Sequence, residues 1–240
     1  MARTAINLYS VRDLDLPMAE ILDRVAAAGY DGVQFSGDYG ELSPDEIADE
    51  LDDLDLAATA AHVDIEAMED DPDGVVDTCE TIGADGAVVP WLGPEHFESH
   101  EAAAAAAERV DAVLEDLAAH GTPLHYHNHD HEFVGVDGAT GFETFVEESH
   151  VLLEPDVGWI ETAGHDPAAF IDDHADRIEI VHMKDMDGGD FAEIGEGDVD
   201  MTACAEAARR ADAEWLVYEH DQPEDPAASI QAGADFLADL

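Results

Sequence analysis

The residues able to do chemistry gather in the second half of the chain. The segment His125-Tyr126-His127-Asn128-His129-Asp130-His131-Glu132 sets four histidines at alternate positions and ends on a carboxylate. Asp156 follows within Asp-Val-Gly-Trp, His182 and Lys184 within His-Met-Lys-Asp, and Glu219 within Tyr-Glu-His-Asp. Each of these stands at the end of a short apolar run. Two histidines with two carboxylates form a mixed nitrogen and oxygen donor set, which suits Mn²⁺, Co²⁺, Zn²⁺ or Fe²⁺ and, less well, Mg²⁺. A divalent ion so held can grip adjacent hydroxyl and carbonyl oxygens and stabilise the enediolate left by proton abstraction. A carboxylate or histidine beside it would serve as the base.

Such side chains must be presented by rigid elements, and the chain alternates short apolar runs with longer amphipathic ones. Strands are predicted at Ala5–Tyr9, Gly32–Phe35, Ala57–His62, Gly86–Val89, Pro123–His127, Val151–Glu154, Ile178–Met183 and Glu214–Glu219. Between them fall helical patterns at Pro17–Ala28, Pro44–Leu54, Gly74–Ile82, His100–His120, Gly141–Glu148, Pro167–His174, Met201–Arg210 and Pro226–Leu237. Ser43-Pro44 and Asp166-Pro167 read as capping side chains before a first-turn proline. Gly29 and Gly121 read as left-handed helix ends. Eight strands alternating with eight helices predict one α/β domain over residues 1–240, a (β/α)8 barrel. The rival, an open doubly wound sheet, would normally show a glycine-rich turn after the first strand, and Ser10-Val11-Arg12 stands there instead.

A barrel of this kind carries its site at the C-terminal ends of its strands, which is where His62, His127, Asp156, His182, Lys184 and Glu219 fall. Strand parity points the same way. His125 shares a face with His127, His182 with Lys184, and Glu219 with Trp215 and Val217, so Glu219 is expected inside an otherwise apolar barrel. A buried carboxylate needs a cation. The bland readings are a rim histidine for His62, a helix cap for Asp156, a surface acid for Glu219 and a solvated ion pair with Asp185 for Lys184. Trp159 and Trp91 read either as core aromatics or as an apolar wall for a sugar ring. Arg12, just past the first strand, is a candidate for a substrate hydroxyl, phosphate or carboxylate.

Composition narrows the class. Sixty Asp and Glu face eight Lys and Arg, a formal net charge of −52, and such self-repulsion strains a compact state at ordinary ionic strength. In about 1 M salt the Debye length is ~3 Å, so neighbouring carboxylates hardly sense one another; a halophilic globule is expected. Disordered acidic chains lack apolar periodic segments, whereas this chain is 46% hydrophobic. Lys184 is the sole lysine, which favours a substrate-binding role. The acidity argues against nucleic acid or an anionic membrane as partner, and no run approaches the length of a membrane span. Cys79 and Cys204 lie far apart in helical stretches and read as reduced packing thiols, which points to a cytoplasmic protein.

Taken in order, INLYSVRD, AAGYDGVQFSG, AAHVD, YHNHDHEF, LEPDVGWIETAG, RIEIVHMKD, EIGEGDVD and WLVYEHD resemble the sugar phosphate isomerase/epimerase superfamily, the xylose isomerase-like TIM barrels. That family includes tagatose/psicose 3-epimerases, hydroxypyruvate isomerase, inosose dehydratase and endonuclease IV. The resemblance implies one divalent ion held by Glu, Asp, His and Glu from strands five to eight. Three of these map onto Asp156, His182 and Glu219. The chain departs at the first: His127 takes that place, with Glu132 as a substitute ligand or a base. Gln34 stands where relatives often carry Glu. The loop Glu193–Gly197 matches a stretch that approaches substrate in relatives. Implied, then, is a metal-dependent isomerase or epimerase of a small carbohydrate, possible as a homo-oligomer, with Glu132 and Glu219 as candidate bases and His62, Arg12, His129, Trp159 and Lys184 on the substrate. A keto-sugar or inosose dehydratase is the near alternative; an endonuclease IV-like phosphodiesterase or a non-catalytic barrel is more remote.

Overall fold

The computed structural model describes residues 2–37 and 39–240. The eight barrel strands are Arg3–Asn7, Gly32–Gln34, a third in two pieces (Ala57–Ala58 and Ala61–His62), Ala87–Val89, Leu124–His127, Leu152–Glu154, Ile180–Met183 and Trp215–Tyr218. All pair in parallel. One arc runs seventh, eighth, first, second, third; the other runs third, fourth, fifth, sixth. Isolated bridges Leu153–Ile178 and Asp156–His182 join the sixth strand to the seventh. The third strand joins the arcs: Thr59 and His62 amides donate to the second strand, and Ala61 and Val63 amides to the fourth. The sheet is therefore closed, and the predicted (β/α)8 barrel is what the chain forms.

Helices lie outside, and their ends follow the local chemistry. Ser43 and Glu46 make a reciprocal capping box on Pro44–Leu54, and Thr140 and Glu143 do the same on Gly141–Glu148. Asp166 and Asp225 cap helices whose first turn carries a proline. The sequence prediction misplaces the first strand by two residues. The Asn7 side chain accepts from the Tyr9 amide and turns Leu8–Val11 into a 3-10 helix, so the apolar run outlasts the strand. Two short helices, Ile65–Asp70 and Val157–Thr162, were not predicted; at six residues each they are too short for a clear periodic signal.

Two apolar layers result. The larger lies between strands and helices. The smaller fills the barrel itself: Ala5, Ala60, Val88, Ile180, Trp215 and Val217. Trp215 plugs the lower barrel and donates to Asp85. Room for that ring is made by Gly32, where an added Cβ would stand 2.5 Å from the Ala57 carbonyl oxygen and 2.8 Å from Trp215. Gly32→Ala is therefore expected to lower the unfolding free energy by about 1–3 kcal/mol, measured by denaturant titration at constant salt; an unchanged midpoint would mean that the plug yields. Cys79 and Cys204 are both buried and unpaired with each other, as expected. Among the described residues no helix is long and apolar enough to cross a membrane.

Candidate active site and metal centre

The apolar fill stops one residue pair below the mouth of the barrel, and there the lining turns polar. Glu219 stands two residues beyond Val217 on the same face, as parity requires. Around it the strand ends bring His127, Asp156 and His182, with one donor atom from each of the four inside 4.8 Å of the others and all four side chains buried. Two of the four, His127 and Glu219, line a cavity of about 700 Å³, while Asp156 and His182 lie outside its lining. Its walls include Tyr9, Arg12, His62, Trp91, His129, Trp159, Lys184, Phe191 and Asp221.

Asp156 does two things at once. Its Oδ1 accepts from the Gly158 and Trp159 amides and caps the helix Val157–Thr162, while Oδ2 lies 2.8 Å from Lys184 Nζ. Capping fixes the carboxylate so that the other oxygen is presented to the cluster. Its own amide is held by Asn128 Oδ1, which explains the asparagine between two site histidines. The glycine of Asp-Val-Gly-Trp is needed because a Cβ at 158 would meet the Lys184 carbonyl at 2.8 Å.

A residue that sequence reasoning missed lies beneath these. Glu154 is fully buried and is approached by His62 Nε2 at 2.7 Å, His182 Nε2 at 3.0 Å, His127 Nδ1 at 3.3 Å and Gln34 Nε2 at 2.7 Å. Burial alone would raise its carboxyl; His182, His62 and His127 outweigh this and hold it well below the usual range. Glu154 thereby gathers three imidazoles beneath the cluster. His127 Nε2 lies 3.7 Å from Asp156 and 4.0 Å from Glu219, on the side where an ion could bind. In His182 both nitrogens face acceptors, Nε2 lying 2.6 Å from Gln34 Oε1 and Nδ1 2.9 Å from Glu219 Oε2; burial would lower the imidazole, but Glu154 and Glu219 raise it to about 10, so an ion bound at Nδ1 would take the place of a proton. Burial, with His182 nearby, lowers His127 to about 4, so it stays neutral as a ligand must. A second four-residue group, His62, His127, Glu154 and His182, also meets the distance condition for an ion, but its contacts are already short pairings around Glu154.

The lone lysine is the third feature. Lys184 Nζ is buried and sits 2.8 Å from Asp156, 3.1 Å from Glu219 and 2.9 Å from Asp221, with the Trp159 ring centroid 4.8 Å away. Burial would lower its ammonium, but Asp156, Glu219 and Asp221 hold it well above its ordinary value. The solvated pairing with Asp185 does not form. Asp185 instead accepts the amides of Met186, Gly195, Gly197 and Val199 and organises the loop that follows.

Glu132 is set apart from this cluster. It is buried against the outward-facing Tyr126, whose hydroxyl donates to Oε1 at 2.9 Å, and Tyr126 packs on Phe142 and Phe145. It lines neither the cavity nor either ion-capable group, so its geometry matches neither a ligand nor a base. Burial raises its carboxyl well above the usual carboxylate range. A carboxyl raised in the fold is protonated there while the unfolded chain ionises, so stability falls as pH climbs past about 4.5. Glu132→Gln removes that titration and keeps a neutral polar head. The variant should gain thermal stability over wild type progressively from about pH 5 to pH 8; a difference in Tm that does not change with pH would contradict this. His125, also predicted to face inward, is fully buried below the cluster and lowered to about 4 by burial.

With this geometry in place, a family model described as xylose isomerase-like TIM barrel matches residues 22–240. The chain belongs to the xylose isomerase-like TIM barrel family. Solved structures share the fold over nearly the whole chain. A sugar phosphate isomerase/epimerase from Parabacteroides distasonis is 20% identical, with TM-score 0.87 over 100% of this chain and 99% of that one. The probable 3-DHS dehydratase AsbF from Bacillus anthracis is 13% identical, with TM-score 0.79 over 98% of each. L-ribulose 3-epimerase is 15% identical, with TM-score 0.76 over 99% of this chain and 94% of that one. No curated protein sequence matches the chain. Within this family of barrels, the cluster occupies the strand ends at which such folds place their chemistry.

Proposed function

We propose that the barrel is a divalent-metal-dependent isomerase or epimerase of a small carbohydrate, acting by proton abstraction next to a carbonyl. The observation that carries this reading is the convergence of His127, Asp156, His182 and Glu219 at the strand ends, with His127 and Glu219 open to the cavity. The donors fit a divalent ion of the Mn²⁺, Co²⁺ or Zn²⁺ type, since two imidazoles and two carboxylates form the mixed set such ions take. His127 Nε2, Asp156 Oδ2, His182 Nδ1 and Glu219 would hold it. When bound, that ion supplies Lewis acidity to the substrate carbonyl and to its neighbouring hydroxyl.

The rest of the chemistry falls to the side chains. His182 and Lys184 both engage Glu219 Oε2, which leaves Oε1 as the oxygen we assign to proton abstraction. His182 and Lys184 also hold Glu219 well below the usual carboxylate range against the effect of its burial, so it enters the reaction as an ionised base. His62 and His129 line the wall, and burial keeps His129 neutral, fit to exchange a hydroxyl proton. Trp159, Trp91 and Phe191 offer apolar faces to a ring and limit water at the reacting carbon. Lys184 stands within reach of any oxygen bound beside Asp156.

Solvent exchange tests this. In D₂O with Mn²⁺ or Co²⁺, the protein should place deuterium on the carbon next to the carbonyl of at least one member of a ketose and inosose panel. Absence of exchange across the panel with metal-loaded protein would refute the reading. Elimination begins with the same abstraction, and the probable dehydratase among the structural neighbours keeps it in view; loss of water, seen in product mass, would identify it. The net charge of −52 further implies a halophilic protein of salty cytoplasm, whose Tm should rise between about 0.1 and 2 M KCl as screening shortens to a few ångströms.

A further inference from the structure

Gln34 is fully buried, and the chemistry of its partners leaves its side chain one orientation. Its Nε2 donates to the Ala60 carbonyl at 3.0 Å and to Glu154 Oε2 at 2.7 Å. Its Oε1 accepts from Asn7 Nδ2 at 2.7 Å and faces His182 Nε2 at 2.6 Å. Two donor hydrogens and two oxygen lone pairs are the whole capacity of the side chain, so every position is used. Exchanging O and N would set the amide nitrogen against Asn7 Nδ2 and the oxygen against two acceptors.

Asn7 is fixed in its turn. It pairs with Gln34 in the register of the first and second strands, and its Oδ1 accepts from the Tyr9 amide, the contact that ends the first strand. A backbone N–H can only donate, so Asn7 presents Nδ2 to Gln34. The assignment thus runs from a backbone amide through Asn7 and Gln34 to the imidazole of His182. At that last link the Gln34 oxygen can only accept, and Glu154 Oε1, 3.0 Å from the same nitrogen, is a second acceptor. Nε2 is therefore a donor nitrogen of His182. Packing keeps the ring in this pose: His62 stacks on it with centroids 5.6 Å apart, and His127 meets it edge-on at 4.5 Å. Nδ1 is left facing Glu219 Oε2 at 2.9 Å.

We infer that Gln34, oriented by Asn7, is a positioning residue: by accepting the Nε2 hydrogen of His182 it makes Nδ1 the nitrogen that meets a divalent ion. Gln34 does not line the cavity and acts only through the imidazole. The inference rests on the metal-dependent reading above. Heteronuclear NMR of Zn²⁺-loaded protein with isotope-labelled histidine tests it, because a zinc-bound ring nitrogen and one that carries hydrogen resonate apart. The expected pattern for His182 is zinc on Nδ1 and hydrogen on Nε2. Gln34→Met keeps the length of the side chain without its hydrogen bonds. It should lower Zn²⁺ affinity by about tenfold or more, the usual effect of losing a ligand's outer partner, and should therefore lower Tm more with zinc present than in chelated protein. Zinc on Nε2 in wild type, or Zn²⁺ affinity unchanged in Gln34→Met, would overturn the inference and leave the metal site standing. Wild-type protein that takes up no zinc would remove the metal-dependent reading itself.

Discussion

Glu219→Gln is expected to lower solvent deuterium exchange by about 10²–10⁴-fold, the usual contribution of a positioned general base. The amide keeps the size of the side chain and an oxygen for coordination but cannot accept a proton. Because Glu219 also belongs to the donor set, the ion content of the variant has to be measured in parallel. Loss of exchange at full occupancy assigns the base to Glu219. Exchange at the wild-type rate with the ion bound would move the base elsewhere, and His62 or His129, both on the cavity wall, would be the next candidates.

Lys184→Met should act on stability and on metal affinity in opposite directions. Methionine keeps the length and the apolar stem but removes the ammonium that serves Asp156, Glu219 and Asp221. Three carboxylates would then share one buried region without that cation. Breaking a buried pair by deleting one partner costs about 3–5 kcal/mol, so the chelated variant should melt well below chelated wild type. Removal of a positive charge beside Asp156 and Glu219 also removes repulsion toward a divalent ion. The variant should bind Mn²⁺ or Co²⁺ at least about tenfold more tightly, and that binding should restore much of the lost Tm by mass action. Weaker ion binding would show that the ammonium serves to pre-position the carboxylates, and the competition argument would fail.

The fold was readable because period and punctuation agree along the whole chain. Eight apolar runs, separated by capped amphipathic segments, leave few alternatives, and seven of the eight predicted strands end within one residue of the observed ones. The third strand breaks at Thr59–Ala60, where it changes partner from the second strand to the fourth, and a break of that kind has no local signature. The first strand fails for a side-chain reason, the Asn7 cap.

The site was legible where parity could be combined with strand ends. Asp156, His182 and Glu219 come together as the spacing implies, and His127 joins them. Glu132 misleads because proximity in sequence to a histidine cluster says nothing about the face it takes: a tight 3-10 turn over Asp130–Phe133 swings it behind the barrel wall onto Tyr126. Glu154 escaped notice although it alternates with Asp156 and therefore shares its face. In a chain with sixty acids one more carboxylate at a strand end carries little contrast. Gln34 was a legible departure, and its meaning is local: its Nε2 donates to the Ala60 carbonyl and to Glu154 while its Oε1 accepts from Asn7 and meets His182, so it braces the base of the cluster.

On the proposed function, His127, Asp156, His182 and Glu219, from four strand ends, would hold one ion. Optical titration of chelated protein with Co²⁺ reads this directly, since d–d band positions and intensities report donor type and number. The expected result is a single equivalent with a mixed nitrogen and oxygen spectrum, abolished by His182→Ala and by Asp156→Ala but retained in Glu132→Gln. A spectrum unchanged by either alanine substitution, or no stoichiometric binding in wild type, would contradict it.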